Sequence, residues 1–413
     1  MSAEDDGKGM IVFMQTVSLG MILEARERLK KVVRSTDLVP SQMLAIPGRR
    51  EVFLKTECLQ YTGSFKLRGA YNRIAMLTPE ERQRGVIASS AGNHAQGVAL
   101  AAQKFGIKAT IVMPAGAPLA KVAATRGYGA EVVLHGAVYD DAYAEACRIQ
   151  QESGAVFIHP FNDPYVIAGQ GSIGLEIMDA NSDITTVVVP IGGGGMASGI
   201  AAAVKELHPE VKVIGVQAAG APSMLESRRA GHIVTLNSAS TMADGIAVKT
   251  PGDRTFAMCE KYLDDIVTVD EDEIAGAILM LLEKCKIVAE GAGAASVAAV
   301  LYDKFDTSGR VACVVSGGNV DVTTLQHILD QGLMKAGRMA RIHTVIQDRP
   351  GHLARLLSLI SESGANVISI QHDRTSIMSG VGRALVDLQI ETNDFDHLER
   401  LHAILKENGY AVM

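Results

Sequence analysis

Hydrophobic and polar positions follow one alternating pattern over most of the chain. Between Val52 and about Val320, short β-branched runs typical of buried strands are separated by stretches with helical spacing. The clearest runs read VIASS, ATIVMP, EVVLH, AVFIHP, TTVVVPIG, VKVIGVQ, DIVTVD and RVACVVSGG. Strands that alternate with helices in this way predict an α/β fold with a mostly parallel sheet covered on both faces by helices.

This hydrophobic pattern changes near residue 330. Residues 331–340 break the pattern and contain two glycines, which predicts a linker. Beyond it, RIHTVIQ, ANVISIQHDR, GRALVDLQIET and YAVM have the character of strands, and HLARLLSLISESG and HLERLHAILKENG have helical spacing. This βαββαβ order is the ferredoxin-like pattern. We therefore divide the chain into a large domain of residues 1–330, the linker, and a small domain of residues 341–413.

Composition narrows the class of function. The 413 residues are too many for one ordinary core, and 47% hydrophobic with 21% charged residues is typical of a globular enzyme. The net charge of −7 is modest, and the basic residues are scattered. Neither nucleic acid nor an anionic membrane is therefore expected as a partner. Chemistry on a small molecule is expected instead.

Cysteine usage and the start of the chain bear on location. The five cysteines are widely spaced and form no CxxC pair, which predicts reduced, cytoplasmic residues. The apolar stretch from Met10 to Leu23 follows acidic residues and lacks a small-residue cleavage site. We expect it to be a first element that packs onto the large domain.

Four loops rich in small residues carry the candidate chemistry. They read TGSFKLRGA (Thr62–Ala70), SSAGNHAQG (Ser89–Gly97), PIGGGGMASG (Pro190–Gly199) and VVSGGNVD (Val314–Asp321). Each follows an apolar run and precedes a helical pattern, so each lies beyond the carboxyl end of a predicted strand. Ligands of open α/β sheets bind at that edge, which predicts one shared site.

Pyridoxal phosphate requires an amine for its aldehyde, a cradle for its phosphate, and partners for its pyridine nitrogen and phenolic oxygen. Lys66 is the candidate amine, since enclosure beside Phe65 and Leu67 would favour its neutral form. It would hold the cofactor as a Schiff base and, once released by substrate, act as the base for the Cα proton. Taken alone, a lysine in such a bend is more often a solvated surface residue.

The remaining loops offer the other partners. Glycines 192 to 195 leave backbone N–H groups free to surround a phosphate at a helix start, although a purely structural turn is the alternative. Ser316 is a candidate partner for the pyridine nitrogen. It would leave that nitrogen unprotonated and favour loss of a β-leaving group over transamination. A serine at a strand end can equally be structural.

The second loop offers groups for both cofactor and substrate. The amide of Asn93 can hydrogen-bond the phenolic oxygen. The Ser90 hydroxyl and the N–H groups around Ala91, Gly92 and His94 are candidates to bind a substrate carboxylate. His94 considered by itself is more often structural.

With these motifs in this order, the chain resembles the threonine/serine dehydratase group of the tryptophan-synthase-β-like, fold type II pyridoxal phosphate enzymes. Its last residues resemble an ACT regulatory domain, with DRPGHLARLL matching the first turn and helix. The two resemblances cover nearly the whole chain. They imply a catalytic region of two α/β subdomains followed by a βαββαβ regulatory domain.

The resemblance also implies roles and a reaction. It implies Lys66 as the Schiff-base lysine, Asn93 at the phenolic oxygen, Gly192–Gly195 with Met196 as the phosphate loop, and Ser316 at the pyridine nitrogen. The cofactor phosphate is implied as the acid for the departing hydroxyl. L-Threonine would give an enamine that becomes 2-oxobutanoate and ammonia, with side activity on L-serine.

Three positions depart from relatives. Cys58 stands in TECLQ where Asn or Asp is usual, which leaves the local hydrogen bonding open. Serine racemases of the superfamily have a second catalytic serine where this chain has Ala91, so racemization is not expected. The same relatives hold a divalent ion through a glutamate that aligns with Gln217, so no metal site is predicted.

Regulation and rival functions complete the expectations. The ACT resemblance implies an amino-acid or other small-molecule effector near Asp348, Arg349, Gly351 and Asn366, and a homodimer or homotetramer. Isoleucine is the expected effector of a biosynthetic enzyme, and another amino acid or a nucleotide that of a catabolic one. The alternatives are a dehydratase for serine or 3-hydroxyaspartate, and a non-catalytic amino-acid sensor.

Overall fold

The computed structural model describes residues 17–375 and 380–412. The chain divides into two compact units, the first ending at Val320 and the second beginning at Asp321. The strands are β1 (Leu38–Ile46), β2 (Arg50–Lys55), β3 (Val86–Ser89), β4 (Ala109–Met113), β5 (Glu131–Leu134), β6 (Val156–Phe157), β7 (Thr186–Pro190), β8 (Lys212–Ala218), β9 (Asp265–Val269), β10 (Gly309–Val314), β11 (Met339–Gln347), β12 (Asn366–Asp373) and β13 (Arg383–Glu391).

The helices intervene between most strands. They are α1 (Leu19–Leu29), α2 (Lys66–Ala75), α3 (Pro79–Arg84), α4 (Asn93–Phe105), α5 (Leu119–Gly127), α6 (Tyr139–Ser153), α7 (Pro164–Ala180), α8 (Gly195–Leu207), α9 (Ser223–Ala230), α10 (Asp253–Tyr262), α11 (Glu271–Met280), α12 (Gly291–Leu301), α13 (Val322–Lys335), α14 (His352–Glu362) and α15 (Phe395–Glu407). Short turns of 3₁₀ helix occur at Glu57–Leu59 and Asp244–Ile246, and a π-helical turn at Leu281–Cys285.

The first unit contains two sheets. The larger has the order β1-β2-β10-β7-β8-β9 and the smaller β5-β4-β3-β6. Only β1 pairs antiparallel, with β2, among the strand pairs of the described part of this unit. All eight runs identified in the sequence contain a strand. The prediction of two α/β subdomains is therefore confirmed.

Buried β-branched residues explain the strands of the larger sheet. Every residue of β7 is buried, and Val187 and Val189 share a core with helices α7 and α8. A strand covered on both faces has no polar alternation, which is why TTVVVP reads as a continuous apolar run. Val17 and Ile22 also lie in this core, so the part of the predicted first element within the described residues packs as expected. Residues 10–16 of that element lie outside the described residues.

The second unit has one antiparallel sheet of order β11-β13-β12. Leu356 of α14 and Leu401 of α15 are buried with Ile342 and Val386 of the strands, in one core. The predicted helices and the first three predicted strands are found. The last predicted strand, YAVM, is wrong for residues 410–412, which are outside any strand.

The reason for this difference is local. Gly409 has a φ of +83°, and the N–H of Tyr410 donates to the carbonyl of Leu405 at 3.0 Å. The segment therefore caps α15 rather than joining the sheet, and Tyr410 and Val412 pack against the core. Helix α13 also continues to Lys335, so half of the predicted linker is helical. The predicted boundaries 1–330 and 341–413 remain predictions.

Candidate functional site

The first unit contains a cavity of about 780 Å³ beyond the carboxyl ends of β3, β7 and β10. All the residues predicted to bind cofactor or substrate line it, namely Lys66, Ser90, Ala91, Gly92, Asn93, His94, Gly192, Gly193, Gly194, Gly195, Met196 and Ser316. They come from both sheets of the unit. The four loops thus meet at one cavity, at the carboxyl ends of strands that belong to two sheets rather than at the edge of a single sheet.

Lys66 opens helix α2 and is enclosed by protein. Its Nζ donates to the carbonyl of Pro160 at 3.0 Å and lies 5.1 Å from the centre of the Phe65 ring. Burial lowers the pKa of Lys66 to about 8, against an opposing effect of the nearby Glu290 charge. A larger fraction of this amine is therefore neutral near physiological pH than of an ordinary lysine, and the neutral form is the one that acts as a nucleophile or base.

The glycine loop joins β7 to α8. Gly194 has a φ of +93°, which favours glycine. A Cβ on Gly193 would lie 2.4 Å from the Phe161 ring, and one on Gly195 would lie 2.8 Å from Phe161 Cα. The Thr255 hydroxyl donates to the Gly193 carbonyl at 2.6 Å and holds the loop. The result is a backbone cradle at a helix N-terminus, where unpaired N–H groups and the helix dipole favour an anion.

Asn93 begins α4 and is held at both ends of its amide. Its Nδ2 donates to Glu290 Oε1 at 2.6 Å, and its Oδ1 accepts from Asn319 Nδ2 at 2.7 Å. An amide nitrogen carries two hydrogens, so a second N–H is available to a ligand. This arrangement suits a donor to an anionic oxygen.

The loop before Asn93 has the groups expected of a carboxylate site. The Ser90 hydroxyl accepts from the N–H of Gly92 at 3.2 Å. The hydroxyl of Ser89 is buried without a hydrogen-bond partner in the described structure, and this residue also lines the cavity. His94 Nε2 contacts the Ile158 carbonyl at 2.8 Å, and burial lowers the pKa of His94 to about 3. The imidazole is therefore neutral at physiological pH and supplies no charge.

Ser316 lies just beyond β10 and is only 2% exposed. Its carbonyl accepts from the N–H of Phe65 at 3.1 Å, which joins this loop to the segment before Lys66. The residue lines the cavity. Its hydroxyl is a neutral hydrogen-bond donor and acceptor, as a partner for an unprotonated ring nitrogen should be.

Sequence reasoning missed several groups at the cavity. Three residues that follow β6 line the cavity, namely His159, Pro160 and Phe161. The segment from Asp244 to Val248 also lines it. Glu290 is the most informative omission, because it is a buried carboxyl at the cavity, and burial raises its pKa to about 7. The only sequence signal for Glu290 is its place before the small-residue helix start GAGAAS.

The residues predicted to bind an effector lie in the second unit and do not converge within one chain. Asp348 follows β11, and its carboxylate pairs with Arg374 at 3.0 Å. Gly351, with a φ of +91°, caps α14 in the same turn, which also contains Arg349. Asn366 starts β12 opposite Glu391, whereas β11 ends opposite the other end of β13. The turn and Asn366 are therefore separated by the length of the sheet, roughly 27 Å at 3.4 Å per residue.

Gln217 occupies the position at which a metal ligand was considered. Its Nε2 lies 3.4 Å from the Ile191 carbonyl and 3.3 Å from that of Ala221, and its Oε1 accepts from the N–H of Leu225 at 2.9 Å. The Gln217 amide thus connects the residue after β7, the loop after β8 and helix α9 by direct contacts. No cluster of three potential metal ligands occurs in residues 17–375 and 380–412. The same residues contain no helix with the length and apolar character needed to span a bilayer.

Comparisons with known proteins identify the families to which the two parts of the chain belong. Residues 29–317 match the family described as pyridoxal-phosphate dependent enzyme, and residues 335–409 match the ACT domain. An L-threonine ammonia-lyase of Thermotoga maritima is 55% identical over 397 residues, which cover 96% of this chain and 99% of that protein.

Solved structures show the same fold for the large domain. The structure of maize serine racemase matches with a TM-score of 0.73 and 38% identity, and covers 78% of this chain and 99% of its own. That of the processed threonine deaminase isoform 2 from Solanum lycopersicum has a TM-score of 0.72 and 37% identity, and covers 76% of this chain and 95% of its own.

Proposed function

Because the chain belongs to the pyridoxal-phosphate-dependent enzyme family and carries a C-terminal ACT domain, we propose that it is an L-threonine ammonia-lyase. The enzyme would convert L-threonine to 2-oxobutanoate and ammonia, with side activity on L-serine. One observation carries this proposal: the likeness to the Thermotoga maritima enzyme extends over both domains. The regulatory and catalytic parts are thus matched together.

The cavity fits pyridoxal phosphate. Lys66 offers a buried amine of lowered pKa, and the loop Gly192–Gly195 offers a cradle that a Cβ would fill. Asn93 offers a neutral hydrogen-bonding group to the phenolic oxygen, and Ser316 offers one to the pyridine nitrogen. When bound there, the cofactor supplies an electron-withdrawing ring that weakens the bonds to the substrate Cα.

The chain's own residues would perform the remaining tasks. The Lys66 amine removes the Cα proton, since its lowered pKa leaves it available as a base. Ser90 and the backbone N–H groups at the start of α4 bind the substrate carboxylate. The neutral Ser316 hydroxyl does not stabilise a long-lived carbanion as an aspartate would, which favours prompt loss of the β-hydroxyl.

Racemization is the competing reaction, because a serine racemase has a similar fold. A racemase must deliver a proton to the face of Cα opposite its lysine. The cavity has Ala91 at the position where the resemblance implies a catalytic serine in racemases, and a methyl group has no acidic proton to transfer. The residues of this site therefore support elimination over racemization.

Two other functions remain alternatives. A dehydratase for 3-hydroxyaspartate would need a cation for a second carboxylate. Besides Lys66, both Lys121 and Lys249 line the cavity. Lys121 pairs with Asp244 at 2.9 Å, and the substrate comparison described below decides this alternative. A non-catalytic amino-acid sensor is the other alternative, and the retention of Lys66, the glycine loop and Ser316 in one cavity argues against it.

The second unit supports regulation by a small molecule bound between chains. The turn at Asp348–Gly351 and Asn366 lie at opposite ends of one sheet, so a site that uses both requires a second copy. The proposed assembly is a homodimer or homotetramer. If the enzyme is biosynthetic, isoleucine is its proposed effector. The five cysteines are free, three of them buried, which fits a reducing, cytoplasmic location.

The decisive experiment is 2-oxo acid release by the purified protein with pyridoxal phosphate. L-Threonine, L-serine, 3-hydroxyaspartate and the D-enantiomers are compared, each with and without isoleucine. We expect preferential release of 2-oxobutanoate from L-threonine. Turnover of another substrate alone would refute the substrate, and silence with all of them would support the sensor.

A further inference from the structure

Glu290 is a buried carboxyl that none of the roles above requires. It occupies the N-cap position of α12 and is 5% exposed, yet its side chain makes no capping hydrogen bond to that helix. Instead, the carboxyl accepts from Asn93 Nδ2 at 2.6 Å, at the wall of the cavity. A buried carboxyl needs a reason, because removing its charge from water is unfavourable.

Space for this carboxyl is built into the fold. A Cβ on Gly317 would lie 2.3 Å from Glu290 Oε1 and 3.2 Å from Asn93 Nδ2. The N–H of Glu290 also donates to the Gly317 carbonyl at 3.0 Å. Gly317 therefore leaves space for the Glu290 carboxyl and also binds the Glu290 backbone. The contact between Glu290 and Asn93 depends on that glycine.

Four ionisable groups on other elements face Glu290. They are Lys66 of α2, Asp244 of the 3₁₀ turn, Lys121 of α5 and Cys58 of the turn Glu57–Leu59. Burial and, to a smaller extent, the Asp244 charge raise the pKa of Glu290, the hydrogen bond from Asn93 and the charges of Lys121 and Lys66 oppose the shift, and the net pKa is about 7. In return, the Glu290 charge raises the pKa of Lys66. Burial, the Glu57 charge and, to a smaller extent, the Glu290 charge raise the pKa of Cys58 to about 12.

We propose that Glu290 is a positioning residue that fixes the Asn93 amide and, as a carboxylate, stabilises the ammonium that Lys66 becomes when it takes up a proton. This inference rests on the proposed function for its catalytic meaning, since Lys66 gains a proton from the substrate Cα in that scheme. Its physical content, a coupled Lys66–Glu290 pair, is independent of any substrate.

The test separates the charge of Glu290 from its hydrogen bond. Glu290→Gln keeps an oxygen that accepts from Asn93 but removes the charge, whereas Glu290→Asp keeps the charge and shortens the reach. The first readout is acetylation of Lys66 by acetic anhydride in the full-length chain freed of cofactor, followed by mass spectrometry across pH. We expect the midpoint to fall by about one pH unit in Glu290→Gln, the scale of one neighbouring buried charge, and to stay near wild type in Glu290→Asp.

The second readout is the pH dependence of kcat/KM and of the bound cofactor's absorbance. Wild type should show a limb near neutral pH that Glu290→Gln lacks. Asp244→Asn should move that limb to lower pH, because Asp244 raises the pKa of Glu290, and Lys121→Gln should move it to higher pH. Gly317→Ala displaces the carboxyl and should weaken cofactor binding about tenfold by misplacing Asn93, because the added methyl group overpacks the site and forces its neighbours to move.

An unchanged acetylation midpoint in Glu290→Gln overturns the inference, as does a limb that persists in that variant. An inactive wild type whose midpoint still shifts in Glu290→Gln would instead overturn the proposed function and leave the pairing intact. Circular dichroism of each variant identifies any that fails to fold, and the opposite shifts in Asp244→Asn and Lys121→Gln then decide the matter.

Discussion

Lys66 has the clearest residue-level prediction. Its Nζ is the amine in this cavity whose pKa burial lowers to about 8. Lys66→Ala should abolish the absorbance of lysine-bound cofactor and reduce 2-oxo acid release by several orders of magnitude. Lys108→Ala is the matched control, because that side chain is 73% exposed and its ammonium pairs with the surface carboxylate of Glu131. Appreciable turnover by Lys66→Ala would remove this lysine from its proposed role.

At the same scale, the sequence predicted some site residues and missed others for a physical reason. Lys66 and Ser316 lie in loops whose small residues and strand-end position are visible in a single sequence. Glu290 and Pro160 have ordinary neighbours along the chain, and they reach the cavity only through tertiary packing. Local patterns thus identify residues at strand ends, but not groups that other elements bring to them.

The glycine loop is an element whose shape leaves no room for side chains. In Gly193→Ala, the new methyl group would lie 2.4 Å from the Phe161 ring, so either the loop or the ring must move. Overpacking of this kind costs about 1–3 kcal/mol. We expect cofactor affinity, measured by fluorescence titration, to fall about tenfold or more. Gly127→Ala should leave it unchanged, because no heavy atom lies within 4 Å of a Cβ there.

The first turn of α2 is held by a buried ionic cluster two residues from Lys66. Arg68 is fully buried and donates to both oxygens of Glu57 at 2.8 Å, and it also contacts Glu176. Arg68→Met leaves the buried Glu57 without its bidentate partner, a change that typically costs about 3–5 kcal/mol. Urea unfolding should therefore show a lower midpoint, while Arg148→Met, on the surface of α6, should match wild type. An unchanged midpoint in Arg68→Met would mean that hydrophobic packing alone positions this turn.

Elements were predicted well where burial leaves a long apolar run and poorly where pairing is non-local. All eight apolar runs of the first unit contain strands. The pattern of these runs does not predict which strands belong to which of the two sheets. Strand β10, for instance, pairs with β2 from the other end of the unit. The last predicted strand failed because Gly409 turns the chain back onto α15, where helix capping takes the N–H of Tyr410.

At the scale of the whole molecule, catalysis and regulation are proposed for separate units. Every residue proposed for catalysis precedes Val320, and every residue proposed for effector binding follows Asp321. Within full-length protein, Asp348→Ala removes the partner of Arg374 and should weaken the effector response without changing turnover in its absence. Glu399→Ala, an exposed position of α15, is the control. Equal effector response in both variants would place the effector away from this turn.

Truncation tests the separation itself. A chain that ends at Val320 keeps both sheets of the first unit and the whole cavity lining. We expect it to release 2-oxobutanoate from L-threonine at a rate that isoleucine and other amino acids do not change, whereas the full chain responds to its effector. Because the cut removes the entire β11–β13 sheet, a retained response cannot come from the ACT domain. That outcome would place the effector site in the first unit, and loss of activity on truncation would show that the catalytic unit depends on the second for its stability.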